Sequence, residues 1–151
     1  MNRIGIIGAM ELEVEELKSQ MEEVTVKEKA SMEFYQGTLN GKEVVVVRSG
    51  IGKVNAAVCT QILVDDFQVE AVINTGIAGS LKAEINIGDI VASTDALQHD
   101  MDAREFGYPK GQIPQMNVFS FKADETLRKV AVECCKNCLL YTSDAADDLI
   151  G

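Results

Sequence analysis

An α/β fold with a mixed, mainly parallel sheet flanked by helices is predicted for this chain by three features of its sequence. Apolar runs alternate with helical patterns. The runs are continuous, as in strands covered on both faces. Three of them meet turns that carry glycine, after Ile7, Arg48 and Asn74. With 151 residues, 46% of them hydrophobic, the chain is long enough to bury one core.

Arg3 to Gly8 (RIGIIG) suits a buried strand bounded by glycine. Met10, Val14, Leu17 and Met21 then recur at spacings of four, three and four, the period of a helix with one buried face. Val24 to Val26 and Met32 to Thr38 read as strands. Asn40-Gly41 favours a type I′ turn, in which both central residues need positive φ, and Val44 to Val47 returns as the hairpin partner. Ser49-Gly50-Ile51-Gly52-Lys53 opens a helix with Ala56, Ala57, Ile62, Leu63 and Phe67 largely on one side. Ala71 to Asn74 is the next strand and ends in Thr75-Gly76-Ile77-Ala78-Gly79. Asp89 to Ser93 (DIVAS) is predicted as a further strand, before a polar loop from His99 to Gln115 that holds both prolines. A last helix over 123–138 is expected to turn Leu127, Val130 and Cys134 inward.

The balance of 14 Lys+Arg against 24 Asp+Glu, net −10, argues against a reader of duplex nucleic acid, which needs a positive surface to displace phosphate counterions. Anionic membrane surfaces are disfavoured for the same reason. The apolar run after Arg3 is short, carries glycines and stops at Glu11, so neither a signal peptide nor a membrane span is expected, and the expected location is cytoplasmic. The 4 cysteines, three of them crowded at Cys134, Cys135 and Cys138, are expected as reduced thiols.

Ligands of open α/β sheets bind at the carboxyl ends of the strands, here the turns after Ile7, Arg48 and Asn74, which are expected to line one pocket. The letters are not those of a P-loop. Val47 stands where Walker A needs glycine, and Val54 follows Lys53 where it needs Ser or Thr. Gly5-Ile6-Ile7-Gly8 also lacks the Rossmann glycine order. Taken singly, such glycines need be no more than tight strand-to-helix connections.

Among the carboxylates of the first helix, Glu13 lies closest to the buried stripe, roughly 70° from its centre at about 100° per residue. A half-buried carboxylate at the mouth of a cleft can serve as a base, although acidic residues in a first helical turn commonly just complement the dipole. Cys135 and Cys138 form C-x-x-C, but zinc needs two further ligands and the one His, His99, lies in a different segment. Gln98-His99-Asp100-Met101-Asp102 reads as a polar loop cluster, and no metal site is predicted.

Five blocks, Met1 to Leu17 (MNRIGIIGAMELEVEEL), Arg48 to Ala57 (RSGIGKVNAA), Ile73 to Leu81 (INTGIAGSL), Ile87 to Ser93 (IGDIVAS) and His99 to Pro114, resemble in order and spacing the 5′-methylthioadenosine/S-adenosylhomocysteine nucleosidase family. The resemblance covers residues 1–138, read as the N-terminal part of a single nucleosidase domain. It implies a nucleoside phosphorylase/hydrolase-like fold and a homodimer. The implied activity is hydrolysis of the adenine–ribose bond of methylthioadenosine, S-adenosylhomocysteine or 5′-deoxyadenosine, with no metal or organic cofactor.

By the same resemblance Glu13 matches the glutamate that orients and deprotonates the attacking water. Met10 is similar to the residue flanking the sugar, Ile51 to a wall of the alkylthio pocket, and Ala78 and Gly79 to the adenine-side backbone. Ile77 stands where the family often has serine. Phe106 and Pro114 resemble the residues that reach across a dimer to close the neighbour's pocket.

Family members run well beyond this length. Their remaining part holds a Met-Glu pair for the ribose hydroxyls and, in a Ser-Asp motif, the aspartate that protonates the purine. The chain is therefore expected to be truncated and inactive by itself. Residues 139–151 (LLYTSDAADDLIG) read as a tail of different origin. Asp144 in Ser143-Asp144 resembles the proton-donor motif but comes too early in the chain to be assigned that role. A phosphate-dependent nucleoside phosphorylase of the same fold, with Arg48 and Lys53 near the second turn, and a non-catalytic nucleoside-binding module are the alternatives.

Overall fold

In a computed structural model of the chain, residues 3–138 are described. They fall into two compact units, one ending at Gly79 and the next beginning at Ser80.

The first unit is a five-stranded mixed sheet in the order β2-β3-β4-β1-β5, formed by β1 (Arg3–Gly8), β2 (Glu22–Lys29), β3 (Met32–Leu39), β4 (Lys42–Arg48) and β5 (Ala71–Asn74). β1 runs parallel to both β4 and β5, whereas β2, β3 and β4 form an antiparallel meander. Asn40 (φ 48°) and Gly41 (φ 72°) make the positive-φ turn between β3 and β4 that their dipeptide predicts. The β2–β3 connection uses the same geometry with Ala30 (φ 51°) and Ser31 (φ 60°), residues that give no such signal in sequence.

Alternate residues of the central strands feed two cores, as a pleated sheet requires. On one face Ile7, Phe34, Val45 and Val47 pack with Cys59, Ile62, Leu63 and Phe67 of α2 (Lys53–Phe67). Phe34 and Phe67 stack with ring centroids 5.1 Å apart. On the other face Ile6, Val44 and Val46 pack with Val14 and Met21. The continuous apolar runs of β1 and β4 are explained by this two-sided burial. The inner side of α2 is thus Cys59, Ile62, Leu63 and Phe67; Ala57 is exposed and Ala56 half-buried, so the predicted stripe holds only in its second half.

The first helix differs from its sequence pattern. A 3-10 helix (Glu11–Glu13) is followed by α1 (Glu15–Ser19), with Val14 between them at φ −129° and ψ −14°. Val14 is fully buried under β1, and the break at this residue carries it inward. Met21 is also buried and Leu17 half-buried, so the apolar spacing survives the break.

The second unit contains a short ribbon of β6 (Asp95–Ala96) and β7 (Phe121–Lys122), a 3-10 helix (Arg104–Phe106) and α3 (Glu125–Cys138). Asp89 to Ser93 forms no strand, contrary to its sequence pattern. The run pairs with no neighbouring strand, and Ile90 and Val91 stand 58% and 66% exposed. On α3, Leu127, Val132 and Cys135 are half-buried, while Val130 and Cys134 are exposed. The inner stripe is therefore rotated from the expected one, a choice between neighbouring phases that a 3.6-residue period leaves open.

Candidate active site

The carboxyl ends of β4, β1 and β5 lie side by side; β1 ends on Gly8, and the chain leaves β4 and β5 through turns containing glycine. Backbone bonding continues one step beyond the strands. Ser49 N–H donates to the Gly8 carbonyl and Thr75 N–H to the Ile7 carbonyl, each at 2.9 Å. The Ser49 hydroxyl, buried at this junction, donates to the Gly50 carbonyl at 2.8 Å. Main-chain bonds thus hold the turns after β4 and β5 to β1.

Glu13 bridges two of these turns. Its Oε2 accepts from Met10 N–H at 2.8 Å and its Oε1 from Ile77 N–H at 3.1 Å, joining the turn after β1 to the turn after β5. The bond to Met10 follows from the 3-10 helix, where the third residue reaches back to the N-cap amide. The bond to Ile77 exists only because β1 and β5 pair in parallel, Ile7 against Asn74. Each oxygen keeps a lone pair beyond these bonds for a water or a substrate hydroxyl.

Two glycines make room for this carboxylate. A Cβ built on Gly76 would lie 2.7 Å from Glu13 Cδ and run into Oε1, and one on Gly8 would lie 2.9 Å from Glu13 Cβ and 2.7 Å from Val14 Cγ1. Such separations are below any van der Waals contact, so a side chain at either position displaces Glu13. Glu13 is half-buried while Glu11, Glu15 and Glu16 are exposed. That is the order the helical spacing predicts, although the segment is not one regular helix.

The structure brings Met10, Glu13 and Ile77 into direct hydrogen-bonded contact. Ala78 and Gly79 follow Ile77 and are exposed. Ile51, 75% exposed, sits in the turn after β4, where Asn55 Nδ2 donates to its carbonyl at 2.8 Å. Phe106 and Pro114 belong to the second unit. Phe106 is 80% exposed on its 3-10 helix and Pro114 is half-buried. Asp144 and the tail 139–151 lie outside the described residues.

Glu11, at the other end of the same 3-10 helix, joins two cations. Glu11 Oε1 accepts from Lys18 Nζ at 2.7 Å, and Glu11 Oε2 lies 3.5 Å from Arg48 Nε. Lys18 Nζ also sits 4.4 Å above the Tyr35 ring. The Tyr35 phenol is held above its usual range, first by burial and then by the charge and hydrogen bond of Glu33. Among the described residues no three or more His, Cys, Asp or Glu side chains converge as a metal site, and His99 is exposed.

Sequence reasoning reached Glu13 but missed the two groups that fix it to the sheet, the Ile77 amide and the space left at Gly76. The only local signal was a glycine after a strand, which has several causes.

The family model described as the phosphorylase superfamily matches residues 3–145. A curated relative, the 5′-methylthioadenosine/S-adenosylhomocysteine nucleosidase of Halalkalibacterium halodurans, is 48% identical over 136 residues, which are 90% of this chain and 58% of the relative. Among solved structures, the nucleosidase of Colwellia psychrerythraea in complex with adenine superposes with a TM-score of 0.87 at 44% identity, covering 92% of this chain and 57% of that one. The nucleosidase of Neisseria meningitidis in complex with methylthio-immucillin-A gives a TM-score of 0.87 at 40% identity, covering 91% of this chain and 59% of that one. The chain spans a little over half the length of the curated relatives it matches. A sheet whose parallel strands deliver a carboxylate to their carboxyl ends, matched to one family model along nearly its whole sequence, makes this chain a member of the phosphorylase superfamily.

Proposed function

We propose that residues 1–138 are the N-terminal portion of an N-ribosyl hydrolase that cleaves the adenine–ribose bond of 5′-methylthioadenosine, S-adenosylhomocysteine and 5′-deoxyadenosine. Glu13 is its water-activating base. The reading is supported by relatives named as nucleosidases and by solved neighbours in complex with adenine and with methylthio-immucillin-A.

The chemistry sets what the site must do. Adenine is a poor leaving group and the sugar becomes cationic as it departs, so catalysis requires a positioned nucleophile and protonation of the purine. Water oxygen bonds to C1′, its proton passes to Glu13, the C1′–N9 bond breaks, and adenine leaves carrying a proton received at N7. In this scheme Glu13 also stabilises the positive charge on the sugar. Met10 flanks the ribose, Ile51 walls the alkylthio group, and the backbone of Ile77, Ala78 and Gly79 faces adenine. The proton donor belongs to the part of the family's length that this chain does not span. The working unit is a cytoplasmic homodimer in which Phe106 and Pro114 close the neighbour's alkylthio pocket.

One observation carries the reading: the Glu13 carboxylate is suspended between the Met10 and Ile77 amides at the joined ends of β1 and β5. The test is adenine release from methylthioadenosine by the full-length polypeptide bearing residues 1–138, with and without Glu13→Gln. Release that falls on the order of 10²-fold or more in the variant supports general-base catalysis. No release, or release indifferent to Glu13→Gln, defeats it, and strict dependence on phosphate identifies a phosphorylase instead.

A further inference from the structure

We infer that Glu11 is a specificity-determining residue that keeps phosphate out of the place where the nucleophilic water stands. The inference deepens the hydrolase reading and rests on it. Arg48 pairs with Gly8 in the parallel register of β4 and β1. Paired residues of neighbouring strands leave a sheet on the same face. A Cβ on Gly8 would meet Glu13 and Val14, so the Arg48 side chain rises on the face that Glu13 covers. A guanidinium there is a feature that favours phosphate, because its planar fork matches phosphate oxygens and its charge offsets repulsion by the Glu13 carboxylate.

Glu11 lies against the Nε edge of that guanidinium. One of its oxygens lies 3.5 Å from Arg48 Nε and the other accepts from Lys18 at 2.7 Å, so a single carboxylate compensates two cations. Water, being neutral, needs neither of them. Phosphate approaching Arg48 meets the negative charge of Glu11, and the cation it would bind is already partly compensated. The Arg48 and Glu11 side chains are 56% and 48% exposed, so solvent screens the pair and the discrimination is modest.

The experiment uses the full-length polypeptide with inorganic phosphate as the probe, at constant ionic strength. Phosphate is expected to leave adenine release by the unaltered protein unchanged. In Glu11→Gln it is expected to act as a competitive inhibitor, raising KM about two- to five-fold at tens of millimolar while kcat without phosphate stays near its starting value. The double variant Glu11→Gln with Arg48→Gln is expected to lose that sensitivity. Line broadening of the phosphate ³¹P resonance reads binding in the same variants without turnover. Absence of adenine release from the unaltered protein therefore strikes the hydrolase reading alone. Equal indifference to phosphate in the unaltered protein and Glu11→Gln, by both measurements, overturns the role of Glu11. So does sensitivity that persists in the double variant.

Discussion

Glu13 and Gly76 compete for one volume: the carboxylate of the first fills the space that a side chain on the second would need, with a Cβ at position 76 lying 2.7 Å from Glu13 Cδ. Gly76 also sits at φ 155°, a backbone conformation that L side chains rarely adopt. Gly76→Ala is expected to push the carboxylate off the Ile77 amide and lower kcat/KM for adenine release on the order of 10²-fold, the effect of misplacing a reacting group by about an ångström. Steady-state kinetics check this. A variant within a few-fold of the parent would show that the contact between the two positions is not needed.

Leu63 is fully buried between α2 and the sheet, and its Cδ1 lies 2.9 Å from a Cβ built on Gly5. Helix and strand therefore approach as closely as a glycine allows. Leu63→Ala is expected to destabilise the chain by about 2–5 kcal/mol through lost burial and the cavity left behind. Urea denaturation followed by circular dichroism reads the change.

Cys59 is fully buried, and desolvation pushes its thiol up to about 11 from an ordinary 9.0. A folded-state value above the unfolded one gives a contribution to stability that is intact below about pH 9 and fades as pH rises toward 11. Iodoacetamide at neutral pH is expected to label the Val130–Lys136 peptide, which carries exposed Cys134, well before Cys59. Mass spectrometry of timed digests decides this.

Asp102 receives two hydrogen bonds from the Arg104 guanidinium, at 2.8 and 2.6 Å, which hold its carboxyl at about 2 against an ordinary 3.8. Because the folded value is depressed, the interaction favours the fold above the unfolded carboxylate's range and is lost as pH falls toward 2. Carboxyl ¹³C titration is expected to show Asp102 still ionised well below the ordinary 3.8. Arg104→Gln is expected to return it to the ordinary range.

Legibility in sequence followed distance along the chain. The Asn40-Gly41 turn, the apolar strands β1 and β4 and the half-buried side of Glu13 were all readable because each depends on a few adjacent residues. DIVAS misled because an apolar run becomes a strand only beside a partner, and residues 89–93 have none. The inner face of α3 runs through Leu127, Val132 and Cys135 and not through Val130 and Cys134, since Leu127 fits both apolar stripes. The break at Val14 was invisible because spacing reports which residues face inward and not whether the helix between them is continuous.

By itself the sequence determined the alternation of strands and helices, the hairpin and which carboxylate of the first helical segment turns toward the core, because periodicity and turn chemistry act over a handful of bonds. Only the tertiary structure decided that this carboxylate is held by an amide 64 positions away and that Gly76 must stay bare to admit it. Those facts arise from the parallel register of β1 and β5, a pairing closed by backbone hydrogen bonds that no local pattern encodes.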